Sequence, residues 1–172
     1  RLTPALREVL DQRALQRLVT TMPDEALLKL AEAHKLHLPD ALRQEVERML
    51  GDPKAKAFTE SFTGQWLSLR AIDATLPDAK LYPEYDDILK TAMVKETTLF
   101  FNEVLRNDLP LTNFVASDFT FLNARLAKHY GIPGTFTPEQ WTRVDGASRF
   151  DRGGLLPMAV FLTANSPGLR MS

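Results

Sequence analysis

The chain has 172 residues, 44% hydrophobic and 25% charged, enough for one globular domain with a sizeable core. With 21 basic and 22 acidic residues the formal net charge is −1, so the charge balance provides no grip on nucleic acid or an anionic membrane. The absence of cysteine excludes from this segment a disulfide framework, a thiolate metal site, a cysteine nucleophile and covalent attachment of a c-type haem.

Helical spacing of Leu6, Val9, Leu10, Ala14 and Leu18 predicts a first helix over about Pro4–Val19. Met22-Pro23-Asp24-Glu25 opens a second, reaching about Lys35, with proline in the first turn and acids against the helix dipole. Pro39 and Asp40 open a third, carrying Leu42, Val46, Met49 and Leu50 and ending at Gly51. Asp52 and Pro53 begin a fourth that runs to about Arg70, with Ala57, Phe58, Phe62, Trp66 and Leu69 inward. After a loop marked by Pro77 and Pro83, the longest helix is expected over Glu84–Asn107, about 36 Å at ~1.5 Å per residue. A short turn capped by Thr112 follows, then a helix over Phe119–Tyr130 stopped by Gly131 and Pro133. Thr137-Pro138-Glu139 reads as another helix start, although Trp141–Val144 also fits an extended segment. A last helix is expected over Leu155–Thr163. The fold class is therefore all-α, an irregular bundle of about seven to eight helices around one long central helix. Residues 1–50 form an N-terminal lobe, 51–151 the main helical domain, and 152–172 the start of a following segment, with a single domain as the alternative. The chain begins at Arg1 directly in a helical pattern, which predicts that the natural termini lie elsewhere.

Several residues are candidates for chemistry. Glu96 falls inside the apolar stripe Leu89, Ala92, Met93, Leu99, Phe100 and Val104, and Glu103 lies two turns further along that side. A carboxylate on a buried face must be paired, hydrogen-bonded or protonated. One reading makes Glu96 a metal or proton-handling group, but no Glu-x-x-His pair accompanies it. The other reading, which carries more weight, is an ion pair with Arg125 or Arg152. His34 and His37 have metal-ligand spacing but sit at a helix end, where a solvated cation is favoured. His129 with Tyr130 suggests a general acid or base, against a plain helix C-terminus; no nucleophile signature supports the former. Arg152-Gly153-Gly154 fits an anion site at a helix start or, more simply, a tight entry turn.

Four segments taken in order carry a resemblance: DPKAKAFTESFTGQWLSL (52–69), YPEYDDILKTAMVKETTLFFNEVL (82–105), SDFTFLNARLAKHYGI (117–132) and RGGLLPMAVFLTANS (152–166). Together with MPDEALLKLAEAHKL (22–36) and RQEVERMLGDP (43–53), they resemble the DUF1592 family. This is a helical domain of unknown function found in large exported planctomycete-type proteins that also carry c-type cytochrome modules. The last segment resembles the start of the adjoining DUF1588 domain. The family's N-terminal aromatic segment is replaced here by the charged stretch RALQRLVT.

The resemblance implies an exported protein, periplasmic or extracellular, with c-type haem supplied by another domain or subunit and no cofactor in this segment. It transfers no catalytic residue. Glu96, Asn123, His129, Tyr130 and Arg152 stand at motif positions and, with Arg125, are expected to form a structural polar network around the long helix. His129 or Met158 is a candidate distal ligand to a neighbouring haem. The expected function is a non-catalytic docking domain of a larger cytochrome-containing protein or redox complex. Its partners would be other domains of the same polypeptide or subunits of that complex. The alternatives are a catalytic or substrate-binding domain of an exported oxidoreductase or polysaccharide-degrading enzyme, and a helical oligomerisation module.

Overall fold

The computed structural model describes residues 25–75 and 77–165; the helix expected over Pro4–Val19 lies outside them. Six α-helices are seen among these residues: α1 (Glu25–Glu32), α2 (Pro39–Gly51), α3 (Ala55–Trp66), α4 (Asp87–Arg106), α5 (Ala124–Tyr130) and α6 (Ala159–Ala164). Three 3₁₀ turns cover Leu69–Ala74, Leu111–Phe114 and Ala147–Phe150, and two strands cover Phe119–Leu122 (β1) and Thr142–Asp145 (β2).

The all-α expectation is correct in outline but needs one correction. β1 and β2 pair antiparallel, with Phe119 opposite Asp145 and Leu122 opposite Thr142. The segment expected as one helix over Phe119–Tyr130 therefore divides at Asn123. Phe-Thr-Phe-Leu suits a pleated, half-buried surface. The Asn123 side chain then accepts a hydrogen bond from the Leu126 backbone N–H at 3.0 Å, which caps α5 and ends it on the N-terminal side. The extended reading of the Trp141–Val144 stretch corresponds to β2. No helix forms at Thr137-Pro138, where the Thr137 hydroxyl accepts from the Gln140 N–H and the chain turns into β2.

α4 is the centre. It starts at Asp87 rather than Glu84 because the Asp86 carboxylate accepts from the Leu89 N–H at 2.6 Å and fixes the cap there. Its 20 residues span about 30 Å. Along it Leu89, Met93, Phe100 and Val104 join Phe119, Leu122 and Leu126 in one core that also contains Leu155, Met158 and Val160. Each such side chain contributes roughly 1.5–3 kcal/mol when fully buried. The stretch read as the start of a following segment thus packs into the main core as far as Ala159 and Val160. A second, smaller cluster joins Leu27 and Met49.

α3 differs from expectation at both ends. Asp52 accepts from the Lys54 N–H and holds a turn before the helix, and Ser68 takes a left-handed φ of 51° just after it. Its buried face is Ala55, Thr59 and Thr63. Phe58, Phe62 and Trp66 form instead an aromatic row along its flank, reaching Phe101 (5.5 Å from Phe62) and Phe114 (5.6 Å from Trp66). α5 ends as the sequence predicts, on Gly131 at φ 67°, with the Ile132 N–H returning to the Ala127 carbonyl at 3.0 Å. α6 begins at Ala159, four residues later than expected, because Gly153 and Gly154 first carry the chain past the backbone of Val115 and Ser117. No helix among the described residues is long and apolar enough to cross a membrane.

Candidate functional site

Glu96 points from the middle of α4 into the core and is 1% exposed. Its Oε1 accepts from the Thr120 hydroxyl of β1 at 2.5 Å, and its Oε2 accepts from the Tyr130 phenol at the end of α5 at 2.6 Å. Tyr130 in turn accepts from the backbone N–H of Ala159, the first residue of α6, at 2.9 Å. One carboxylate and one phenol therefore link four elements. Burial pushes the Glu96 carboxyl up to about 7 against the opposing pull of its two hydroxyl donors and of the Arg152 charge. Burial, then the neighbouring carboxylate, hold the Tyr130 phenol well above its ordinary value, so it stays protonated and donates.

The expected ion pair between Glu96 and an arginine is not formed. Thr120 and Tyr130 occupy both carboxylate oxygens, and Arg152 acts on Glu96 only through its field. Arg125 lies on the outer side of α5, where it donates to the Asp86 carboxylate at 3.2 Å and to the Glu84 carbonyl. Asn123 is nearly buried and spends its amide donor on the Pro138 carbonyl at 3.0 Å. Of the six residues expected to share a network, the structure joins Glu96, Tyr130 and Arg152, sets the His129 ring 5.6 Å from that of Tyr130, and places Asn123 and Arg125 in separate networks. Glu103 pairs with Arg143 of β2 at 2.8 Å, away from Glu96.

Beside this junction lies a cleft of about 240 Å³. Tyr82, Tyr85, Leu89 and Met93 line one part of it; His129, Tyr130, Arg152 and Leu162 line another. Arg152 lays its guanidinium 4.0 Å from the Tyr130 ring centre and donates from Nη1 to the Pro157 carbonyl. Its Nε and the Tyr85 hydroxyl are both buried and lack a hydrogen-bond partner among the described residues. His129 is half-buried; burial lowers its pKa first, and Arg152 and Arg125 add to that while Glu84 opposes it. Sequence reasoning missed Tyr85 and the cleft, since the loop supplying Tyr82 and Tyr85 meets α5 and α6 only in the fold. An aromatic pair flanking a proline just before the cap of the long helix was the available signal.

The remaining candidates are separate. His34 and His37 are exposed in the turn after α1, and no group of three or more histidines, aspartates or glutamates able to hold a metal ion occurs among the described residues. Met158 is 2% exposed and its sulfur accepts from the Thr97 hydroxyl at 3.2 Å, so it is not presented to a haem on a neighbouring domain. The chain has no cysteine for covalent attachment of a c-type haem.

A family model described as PSD4, protein of unknown function (DUF1592), matches residues 16–132, more than half of the chain. The Arg152-Gly153-Gly154 segment lies beyond the matched stretch. No curated protein and no solved structure matches the chain.

Proposed function

The chain belongs to the DUF1592 family, and on that footing we propose that it is a non-catalytic structural and docking domain. It serves within a larger exported protein or redox complex whose c-type haem sits in another domain or subunit. The observation that carries this reading is how the long helix uses its acids. Both oxygens of Glu96 are held by hydroxyls of β1 and α5, and Glu103 is held by Arg143 of β2. These groups fix α4 to its neighbours, which is what a scaffold needs. Exposed apolar side chains fit the docking half of the reading. Trp66, Val115 and Leu156 are 44%, 70% and 67% exposed. They belong to one neighbourhood, since the Trp66 ring meets Phe114 and the Leu155 N–H bonds to the Phe114 carbonyl.

The test is a reduced-minus-oxidised visible spectrum of the complete native protein or complex containing this chain, followed by cross-linking to the haem-bearing part. A c-type haem band with cross-links to this domain is the expected result. A featureless spectrum, or cross-links that never involve this domain, overturns it.

A second reading, a ligand-binding domain, is favoured by the cleft beside Tyr130 and its two unpartnered donors.

A further inference from the structure

Native proteins rarely leave a buried donor without an acceptor, and each exception needs a reason. Three buried side-chain polar atoms lack partners among the described residues: Thr63 Oγ1, Tyr85 Oη and Arg152 Nε. Thr63 belongs to α3 and is not on the cleft, whereas Tyr85 and Arg152 both line it. Two orphan donors on one cavity wall, one of them part of a cation, amount to an unfilled demand for an acceptor.

We propose that this cleft binds a small monoanionic carboxylate carrying an apolar group, with Arg152 and Tyr85 holding the carboxylate. The inference does not depend on the scaffold reading above. Four observations select the ligand. The first is the donor set. A guanidinium is a planar donor fork suited to a carboxylate, and Arg152 has spent only Nη1, on the Pro157 carbonyl, leaving its Nε donor unused. The Tyr85 phenol is held neutral by burial first of all, so it offers a hydrogen rather than a charge. The second is charge. Arg152 makes no ion pair among the described residues; it reaches the buried Glu96 only through its field, both oxygens of that carboxylate being held by hydroxyls. Arg152 is the one arginine or lysine among the described residues of the lining and the exposed Glu84 carboxylate opposes any anion, so the site suits a single negative charge better than the two of a phosphate. The third is the wall. Leu89, Met93, Ala159 and Leu162 face the same space and suit an aromatic or branched aliphatic carrier. The fourth is size. About 240 Å³ is larger than the roughly 150 Å³ cavity that takes benzene and smaller than most drug-sized sites.

The test uses the full ¹⁵N-labelled chain titrated at pH 8 with phenylacetate, its neutral isostere 2-phenylacetamide, and inorganic phosphate, followed by amide shifts. Phenylacetate is expected to give saturable shifts around Tyr85, Tyr130 and Arg152, the amide to bind at least tenfold more weakly, and phosphate not to saturate there. Tyr85→Phe keeps the ring and removes only an unpartnered hydroxyl. It should fold normally and weaken phenylacetate about tenfold. Arg152→Lys keeps the charge but loses the fork, and should weaken it similarly. Equal binding of the amide, unchanged binding by Tyr85→Phe, or no saturable shifts at the cleft overturns the proposal. A further arm separates the sources of the carboxylate. If acetyl-Gly-Gly-Phe binds more tightly than phenylacetate, the site takes the C-terminus of a polypeptide; if more weakly, a small molecule. Either result upholds the carboxylate assignment.

Discussion

Tyr130 donates its phenolic hydrogen to Glu96 Oε2 at 2.6 Å while accepting the Ala159 backbone N–H at 2.9 Å. The first amide of α6 is thus tied, through one ring, to a carboxylate in the middle of α4. A backbone N–H at a helix start has no intrahelical partner and needs one from elsewhere. Here the phenol supplies it, and the carboxylate fixes the direction in which the phenol points.

Glu96 makes stability depend on pH in a direction opposite to most paired acids. Its carboxyl sits near 4.5 in an unfolded chain and is pushed up to about 7 in the fold. Between those values the folded state keeps a proton that the unfolded state has lost, so stability falls as pH rises from about 4.5 to about 7 and levels off above. The integrated loss is about 3 kcal/mol. His129 works the other way over part of that range. Its pKa is lowered, so folding with a neutral ring costs stability once the unfolded ring is protonated, as pH falls below its ordinary 6.5. The clean measurement is therefore a comparison of urea unfolding between wild type and Glu96→Gln across pH 4.5 to 8. Gln mimics the protonated acid, with its amide toward Thr120 and its carbonyl toward Tyr130. The variant is expected to lose the Glu96 component of the pH dependence and to gain on wild type as pH rises. A difference that does not change with pH would show that Glu96 does not titrate in this window.

Tyr130→Phe should be the most costly single-atom deletion in the described core. It strands the Ala159 N–H and removes one of the two donors to Glu96. Each stranded buried polar group costs about 1–3 kcal/mol, and more when the partner is charged. The loss should be larger at pH 8, where Glu96 is ionised, than at pH 5. It should also move the Glu96 transition upward, since the lost bond favoured the charged form. Chemical unfolding at the two pH values checks this; equal losses would mean that the Tyr130–Glu96 bond carries no charge assistance.

The two glycines after Arg152 serve close packing and entry geometry. Gly153 and Gly154 have φ of 119° and 83°. A Cβ would stand 1.8 Å from the Ser117 carbonyl oxygen at the first and 2.6 Å from that of Val115 at the second. Alanine at either position should cost of order 1–3 kcal/mol from backbone strain alone, with displacement of the Val115–Ser117 chain added. Thermal unfolding of the two single variants measures it, and a fall of less than a degree or two in Tm for Gly153→Ala would contradict the contact.

How much of this was legible in the sequence depended on how local the cause was. Pro39 and Gly131 mark true helix boundaries because a fixed φ and a left-handed residue act on their own neighbours. The inner face of α4 was legible because Leu89, Ala92, Met93, Phe100 and Val104 repeat at helical spacing, although Leu99, read into the same stripe, is only partly buried. The strand was missed because Phe119–Leu122 is only four residues long and runs directly into a helical pattern; the cap at Asn123 was the overlooked divider. The Glu96 partners were missed for a different reason. An arginine is the natural guess for a buried acid, yet the hydroxyls of Thr120 and Tyr130, 24 and 34 residues away, are what the fold brings within reach. Nothing in local spacing foretells such pairs.

Asn123 offers a last test, because its two ends do different work. Its oxygen accepts from the Leu126 N–H at 3.0 Å and caps α5, while its nitrogen donates to the Pro138 carbonyl at 3.0 Å and ties the loop before β2 to the helix. Asn123→Ala removes both and should cost about 1–2 kcal/mol from the cap, with the loop bond in addition. Asn123→Asp keeps the cap, and a negative charge at a helix N-terminus is favourable by itself. But the same side chain is nearly buried, and its second oxygen would then face the Pro138 carbonyl with no hydrogen between them. Below the carboxyl pKa the protonated Asp can donate to that carbonyl, so the variant should approach wild-type stability in acid and fall away from it as pH rises. Unfolding of the three proteins at pH 4 and pH 7 reads this directly. If Asn123→Asp equals wild type at both values, the Pro138 bond contributes nothing and the cap alone explains the residue.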